Sequence, residues 1–397
     1  MEKRKTKKDI TGICCIGMIV LCTVCFSACG KNVGTKDTSV DNIASSIEGT
    51  QYETEITQQQ TEHTNNATEE IEPDLHEYDF TVCFGGDISL DESAVTTDRL
   101  DNSENGIYDC ISPELIAIMQ QADLMCLNNE FTYSTNGSPM EGKAYTFRAH
   151  PNRVGVLQEM GVDIVLLANN HVYDYGRQAM LDTFETLENA EIDYFGAGEN
   201  LQEAMKPVYY EIDGKTIAFV GASRAEKYKM TPQATEDSPG ILRCYDTELF
   251  LEVIKEADAN ADFVIANVHW GTEYSYDLED VQLTTGKAYL DAGADIIVGG
   301  HSHCLQGMEY YNGKPILYSL GNYWFNGKTL DSMLVELHFY GNDLEQNLEV
   351  SVIPAIQSEA RTRIVTDLEE QERIYSFLED ISINVEIDEF GVVRETE

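Results

Sequence analysis

Five short segments of the chain place acids, amides or imidazoles directly after apolar runs. Gly85-Gly86-Asp87 follows residues 80–84, Asn128-Asn129-Glu130 follows 124–127, and Ala168-Asn169-Asn170-His171 follows 164–167. His269-Trp270-Gly271 follows 263–268, and Gly299-Gly300-His301-Ser302-His303 follows 296–298. Carboxylate, amide oxygen and imidazole are hard to borderline donors, the set that suits Mn, Zn, Fe or Mg. Each segment alone has an ordinary explanation. His269 suits a satisfied core histidine, Asp87 a helix cap, Asn169-Asn170 a turn, and His301-x-His303 mere strand alternation. Five in chain order, with four of the chain's eight histidines among them, point instead to one or two divalent ions held at a shared edge.

For these segments to meet, the runs before them must be strands of a mostly parallel sheet, whose carboxyl ends form the edge where open α/β folds place ligands. Residues 80–84, 124–127, 164–167, 217–220, 263–268 and 296–298 are apolar on both faces, as buried strands are. Between them residues 113–121, 152–160, 178–189, 249–259 and 281–292 repeat apolar side chains at three and four, the helical spacing, and Pro113 and Pro151 fit first turns. Residues 308–311, 316–319, 334–340 and 348–353 read as an antiparallel series with a hairpin at Asn312-Gly313. Residues 367–383 read as one amphipathic acidic helix followed by a short strand. The expected class is α/β with a strand-rich second half.

Charge narrows the partners. The 397 residues carry 26 Lys+Arg against 70 Asp+Glu, a net −44. Such a surface repels phosphate backbones, which excludes a nucleic-acid binder working by broad attraction. Any anionic ligand needs a local cationic device, either a metal or placed side chains. Lys143 and Arg148, with Tyr145 and Phe147 between them, are candidate anchors for a carboxylate or phosphate. The alternative is that the aromatic rings pack and the cations sit at the surface. Glu273, beside Trp270 and Tyr274, is a candidate for lining the same cleft.

The N-terminal 29 residues read as a targeting segment: Lys3, Arg4, Lys5, Lys7 and Lys8, then an apolar run at 13–26 too short for an ordinary spanning helix. It ends in Phe26-Ser27-Ala28-Cys29, which resembles a bacterial lipoprotein signal with Cys29 as the diacylated residue. An uncleaved anchor or an ordinary signal peptide is the alternative. All of these put the bulk of the chain outside the cytoplasm, at the outer membrane face if lipidated. Residues 30–77 are polar, acidic and without period, a disordered tether. A folded body at 78–357 and a C-terminal helix and tail at 358–397 complete the organisation. Cys83, Cys110, Cys126, Cys244 and Cys304 are odd in number and lack CxxC spacing, so buried thiols are expected rather than bridges.

The segments Gly86-Asp87-Ile88-Ser89-Leu90, Asn128-Asn129-Glu130, Ala168-Asn169-Asn170-His171-Val172-Tyr173-Asp174-Tyr175-Gly176, Val268-His269-Trp270-Gly271-Thr272-Glu273-Tyr274, Gly299-Gly300-His301-Ser302-His303 and Tyr318-Ser319-Leu320-Gly321-Asn322-Tyr323 together resemble the CapA family of poly-γ-glutamate capsule synthesis proteins. That family is similar to the calcineurin-like metallophosphoesterases, a four-layer αββα sandwich. The resemblance implies Asp87, Asn170, His269, His301 and His303 as ligands of one or two ions, with Asn128 or Glu130 in the bridging place. It also implies His171 as the group that protonates a leaving oxygen and Asp174 as its orienting partner. Ser89 stands where the wider group has a histidine, and Asn128/Glu130 where it has an aspartate, so the resemblance implies one weak or missing metal. Three functions follow as expectations. The first is synthesis, export or attachment of poly-γ-glutamate or a similar polyanion, with membrane synthase or exporter partners. The second is an extracytoplasmic phosphoesterase with a phosphoester substrate, and the third a non-catalytic binding protein.

Overall fold

The computed structural model describes residues 5–8, 75–226 and 230–396. The apolar run at 13–26, Cys29 and the tether up to residue 74 lie outside the described residues. In chain order the first half contains β1 (Thr6–Lys7), β2 (Glu77–Ile88), α1 (Pro113–Gln121), β3 (Leu124–Asn129), β4 (Ile164–Leu166), α2 (Gly176–Asn189), β5 (Asp193–Phe195), β6 (Val208–Ile212) and β7 (Lys215–Ser223). The second half contains α3 (Glu248–Asp258), β8 (Phe263–His269), α4 (Asp280–Asp291), β9 (Ile296–Gly300), β10 (Leu305–Tyr311), β11 (Lys314–Leu320), β12 (Asn322–Trp324), β13 (Leu330–Asn342), β14 (Gln346–Ser358), β15 (Arg361–Ile364), α5 (Leu368–Asp380), β16 (Val385–Ile387) and β17 (Val392–Glu395). The stretch expected as a helix at 152–160 begins as a 3-10 turn, Pro151–Arg153, and only Val154–Glu159 is α-helical. The hairpin falls where its sequence puts it, with Asn312 and Gly313 at φ 53° and 75° between β10 and β11.

The strands form two large sheets. One runs β1-β6-β7-β8-β9-β11-β10, with β7, β8, β9 and β11 parallel; the other runs β16-β17-β14-β13-β2-β3-β4-β5, with β2 to β5 parallel. Period-two alternation sorts each strand between two cores. In β7, Ile217 and Phe219 join the core shared with the second sheet, whereas Ala218, Val220 and Ala222 face Phe250, Val253 and Ile254 of α3 and Tyr289 of α4. Aromatic rings fill the space between the sheets: Phe84 with Phe219 at 6.1 Å, Phe80 with Phe263 at 6.3 Å, and Phe263 with Phe339 at 4.8 Å. Leu115, Ile116 and Met119 of α1, with Met180, Phe184 and Leu187 of α2, cover the second sheet. The result is four layers, helix, sheet, sheet, helix. Cys83, Cys110, Cys126, Cys244 and Cys304 are buried free thiols, as their spacing implied.

The segment beyond 357 is part of this body. β14 runs through that position to Ser358, and β17 extends the second sheet beside it. On the other sheet, Met308 N–H donates to Ser382 Oγ at 2.8 Å and Ile383 N–H to the Met308 carbonyl at 2.8 Å. A Cβ at Gly307 would lie 1.9 Å from the Ile381 carbonyl oxygen, so this approach requires glycine. Residues 368–395 therefore clasp one flank of the sandwich.

A candidate metal centre between the two sheets

Parallel pairing puts the carboxyl ends of β2, β3 and β4 at one edge of the second sheet, and those of β8 and β9 at one edge of the first. A crossing strand joins these edges. β12 leaves the first sheet after β11 and pairs with β2, with Asn322 opposite Asp87. Asp87 N–H donates to the Gly321 carbonyl at 2.8 Å, and a Cβ at Gly86 would come within 1.9 Å of that oxygen. Only glycine lets β2 approach this closely. After β9 the chain turns through left-handed conformations at His301 (φ 94°) and His303 (φ 56°). Such positions persist when the surroundings over-determine them, and they cluster at functional sites.

The side chains meet in one buried network. Asp87 Oδ1 accepts from Asn128 Nδ2 at 2.7 Å, and Asp87 Oδ2 lies 3.3 Å from His303 Nδ1 and accepts from His301 N–H at 3.3 Å. His269 bridges the sheets, with Nδ1 3.2 Å from Asn128 Nδ2 and Nε2 2.7 Å from Asn170 Oδ1. His301 Nδ1 is 3.1 Å from His269 Nε2. Asn169 holds the loop after β4, donating to Asn128 Oδ1 at 3.0 Å and accepting from the N–H groups of His171 and Val172. His171 Nδ1 is 2.7 Å from Asp174 Oδ2, and its ring packs on Phe147 with centroids 4.3 Å apart.

Glu130 bears most directly on what this network could hold. It is fully buried, its two carboxylate oxygens have no hydrogen-bond donor among the described residues, and Oε1 lies 3.4 Å from His269 Nε2. An unpaired buried carboxylate is costly. Glu130 belongs to two donor groups, Glu130-His269-His301 and Asp87-Glu130-His303, whose ligand atoms lie within 4.8 Å of one another. A carboxylate with no protein donor, set between imidazoles and a second carboxylate, is the donor chemistry of a divalent ion.

The electrostatics agree. Burial, reinforced by Asp87, pushes the Glu130 carboxyl well up. Burial pushes His269 down to about 4 and His301 well below the ordinary imidazole range, leaving both neutral as ligands must be. Burial acts downward on His303 too, but Glu130 and the contact with Asp87 outweigh it and lift the ring to about 9.

Residues 81–327 match the family described as bacterial capsule synthesis protein PGA_cap. The chain belongs to this family. It is 37% identical over 244 residues to the PGA biosynthesis protein CapA of Bacillus subtilis, a match covering 60% of this chain and 62% of that protein. It is 36% identical over 233 residues to the capsule biosynthesis protein CapA of Bacillus anthracis, covering 57% of this chain and 56% of that protein. A probable polyglutamine synthesis accessory protein of Mycobacterium tuberculosis shares 29% over 219 residues, 53% of this chain and 58% of that protein. The chain thus spans about three-fifths of the length of these curated relatives. Among solved structures, a hypothetical protein from Thermus thermophilus superposes with a TM-score of 0.40 at 16% identity, over 70% of this chain and 99% of that one.

Within this PGA_cap body, Asp87, Asn128, Glu130, Asn170, His171, His269, His301 and His303 come together, and the other candidates lie around or apart from them. Asn128 is engaged at both ends of its amide, with Asp87 and Asn169, whereas Glu130 is the residue common to both donor groups that could hold an ion. The extra methylene of glutamate lets it reach from one residue beyond β3 into both donor groups. Lys143 is no free anchor. Its side chain is buried, with Nζ 2.6 Å from Asp174 Oδ1 and 2.8 Å from Glu226 Oε2, and it also donates to the Asn170 carbonyl. Arg148 does not share that place: its guanidinium stacks on Tyr175 at 4.2 Å and lines a separate cavity of about 630 Å³ with Glu92, His150 and Arg153. Glu273 is exposed, acting on Glu130 and His269 through its charge. Ser89 Oγ accepts from Asp91 N–H at 3.4 Å in the turn after β2.

Sequence reasoning gave no individual role to three contributors, of which Glu226 lies in residues 223–227, a weaker substrate candidate, and Asn322 in the segment 318–323. Asn322 Oδ1 is 2.9 Å from His303 Nδ1, Glu226 holds Lys143, and Thr231 Oγ1 donates to the Asn170 carbonyl at 2.7 Å. Asn322 and Glu226 each carried a signal, their places just after a strand. The partners of Glu226 and Thr231 are distant in sequence.

Proposed function

We propose that this chain is an exported capsule-synthesis protein of the CapA type, acting on poly-γ-glutamate or a similar polyanion, or on a phosphoester in its assembly, through a cleft built on one or two divalent ions. The observation that carries the chemistry is the doubly unpaired, fully buried Glu130 between two overlapping Asp/His groups. The names of the Bacillus relatives support the capsule role. A net charge of −44 favours a local cationic centre as the means of engaging an anion.

Asp87, Glu130, His269, His301 and His303 are the residues to hold metal, with Asn128 and Asn170 around them. A bound divalent ion supplies Lewis acidity and neutralises substrate charge. The chain's own groups do the rest. Asp174 fixes the His171 ring through Nδ1, leaving Nε2 to exchange a proton with the substrate's leaving oxygen. Burial and the nearby Lys143 ammonium hold His171 well below the ordinary imidazole range, so its resting form is neutral. Phe147 and Phe325 pack against His171 and His303 with tilted rings, flanking the cleft. Attachment at the outer membrane face through Cys29, with residues 30–77 as tether and membrane synthase or exporter proteins as partners, is the part of this reading that rests on sequence.

The test is metal content of the purified chain and turnover of a generic phosphodiester. One or two equivalents of Mn, Zn, Fe or Mg, lost in Asp87→Ala and His301→Ala, with turnover abolished in His171→Ala, is the expected result. No uptake of any of the four ions refutes the metal centre. Unchanged cell-bound polymer in a deletion strain refutes the capsule role.

A further inference from the structure

β6 lies near one edge of the first sheet, and the basic segment of residues 5–8 fills that edge. β1 pairs antiparallel with it, Thr6 opposite Glu211 and Lys7 opposite Tyr210, and Lys8 N–H donates to the Tyr209 carbonyl at 2.9 Å. Alternation sends Lys5 and Lys7 to the same side. There they pair with Asp163, next to β4, and Asp193, the first residue of β5. Lys8 turns the other way, to Thr216 Oγ1 at 2.9 Å and Glu211 Oε2 at 3.6 Å. The two acids are themselves held in place: Asp163 Oδ2 accepts from Met125 N–H at 2.9 Å and Asp193 Oδ2 from Tyr210 O–H at 2.6 Å. One short strand thus binds the backbone of one sheet and the acids of the other.

We propose that the β6 edge is an acceptor for an extended segment with lysines spaced Lys-x-Lys-Lys, filled in cis by residues 5–8 and in trans by a partner chain carrying such a segment. Each exposed ion pair is weak by itself. Selectivity comes from combining the ladder with cations at fixed alternate positions. A leader's basic start stays on the cytoplasmic side of a membrane, out of reach of an exported body, so export opens this edge. An open strand edge recruits another strand. The proposal stands on the pairing geometry and is independent of the metal centre.

The test uses the full, unprocessed chain carrying Lys5→Glu, Lys7→Glu and Lys8→Glu, and a labelled peptide of residues 3–9, read by fluorescence anisotropy at physiological salt. The triple variant is expected to bind the peptide at least tenfold more tightly than the unmutated chain, because the cis strand no longer competes. A peptide N-methylated at Lys8 keeps every charge but loses the donor to Tyr209, and it is expected to bind at least tenfold more weakly. Adding Asp163→Asn and Asp193→Asn to the variant is expected to have a similar effect. Equal binding of the methylated peptide means diffuse attraction to an acidic surface and overturns the proposal. So does absence of binding by a variant whose circular dichroism is unchanged. Hydrogen exchange at residues 209–211 is the second readout: faster exchange in the variant supports cis occupancy, and unchanged exchange overturns it.

Discussion

Replacing Glu130 by glutamine separates a stabilising side chain from a functional one by the sign of its effect. Without metal, Glu130 is a fully buried carboxyl with no donor to either oxygen among the described residues, a situation that costs about 1–3 kcal/mol for a neutral group and more for a charged one. Burial raises its folded-state pKa well above the ordinary value. The native state therefore holds a proton that the unfolded chain releases near pH 4–5, and metal-free stability falls as pH rises from there toward the folded-state pKa, by about 1.4 kcal/mol per pH unit. Glu130→Gln has the same shape and no charge. In EDTA at pH 8 it is expected to be as stable as the parent or more stable by about 1–3 kcal/mol, with the difference shrinking toward pH 5. With metal the order inverts. A ligand at a hundred times its Kd adds about 2.7 kcal/mol to the parent, and the glutamine variant loses most of it. Urea unfolding at the two pH values, with EDTA and with Mn or Zn, measures all four numbers. A variant less stable than the parent in EDTA at pH 8, or equally stabilised by metal, refutes the assignment of Glu130 as a ligand.

Other expectations concern what surrounds the centre. Lys143→Met strands Asp174 and Glu226, and should cost about 3–5 kcal/mol in urea unfolding. The deficit should be larger at pH 8 than at pH 5, because the Asp174 carboxyl, pushed up by burial to about 7, is protonated at the lower pH. Adding Asp174→Asn should restore part of the loss, and no restoration would show that the buried ion pair is not its source. Gly307→Ala forces a Cβ to within 1.9 Å of the Ile381 carbonyl oxygen and should unlatch residues 368–395, seen as earlier proteolytic release of that segment and a loss of about 1–3 kcal/mol. An unchanged digestion pattern would show that this contact does not hold the clasp. The five buried thiols should resist alkylation in the native state, since burial lifts Cys110 and Cys244 to about 11. Rapid labelling at more than one of them, mapped by mass spectrometry, would contradict their burial.

Much of the centre is legible in the chain because parallel strands end where apolar runs end, and the residue after each run is fixed by local order. Asp87, Asn170, His269, His301 and His303 are read this way, and so is the hairpin at Asn312-Gly313, whose left-handed residues are a local requirement. The α/β class and the helical stretches follow from periods of two and about 3.6, which need no partner to be recognised.

Tertiary structure decided the rest, for one reason: the partner lies far along the chain. Whether Asn128 or Glu130 joins the histidine groups depends on the reach of a side chain into a gap made by the other sheet, which β12 crosses. Lys143 looks like a free cation in sequence and is neutralised by Asp174 and Glu226, which are 31 and 83 positions away. Arg148, five residues on, turns to a different cavity because β-strand pairing of Arg148–Ala149 with Thr132–Tyr133 directs it there. The basic start read as a leader also fits a sheet edge flanked by Asp163, Asp193 and Glu211, acids that only folding brings together. Residue types and local order determined which donors exist; the meeting of two sheets decided which of them face one another.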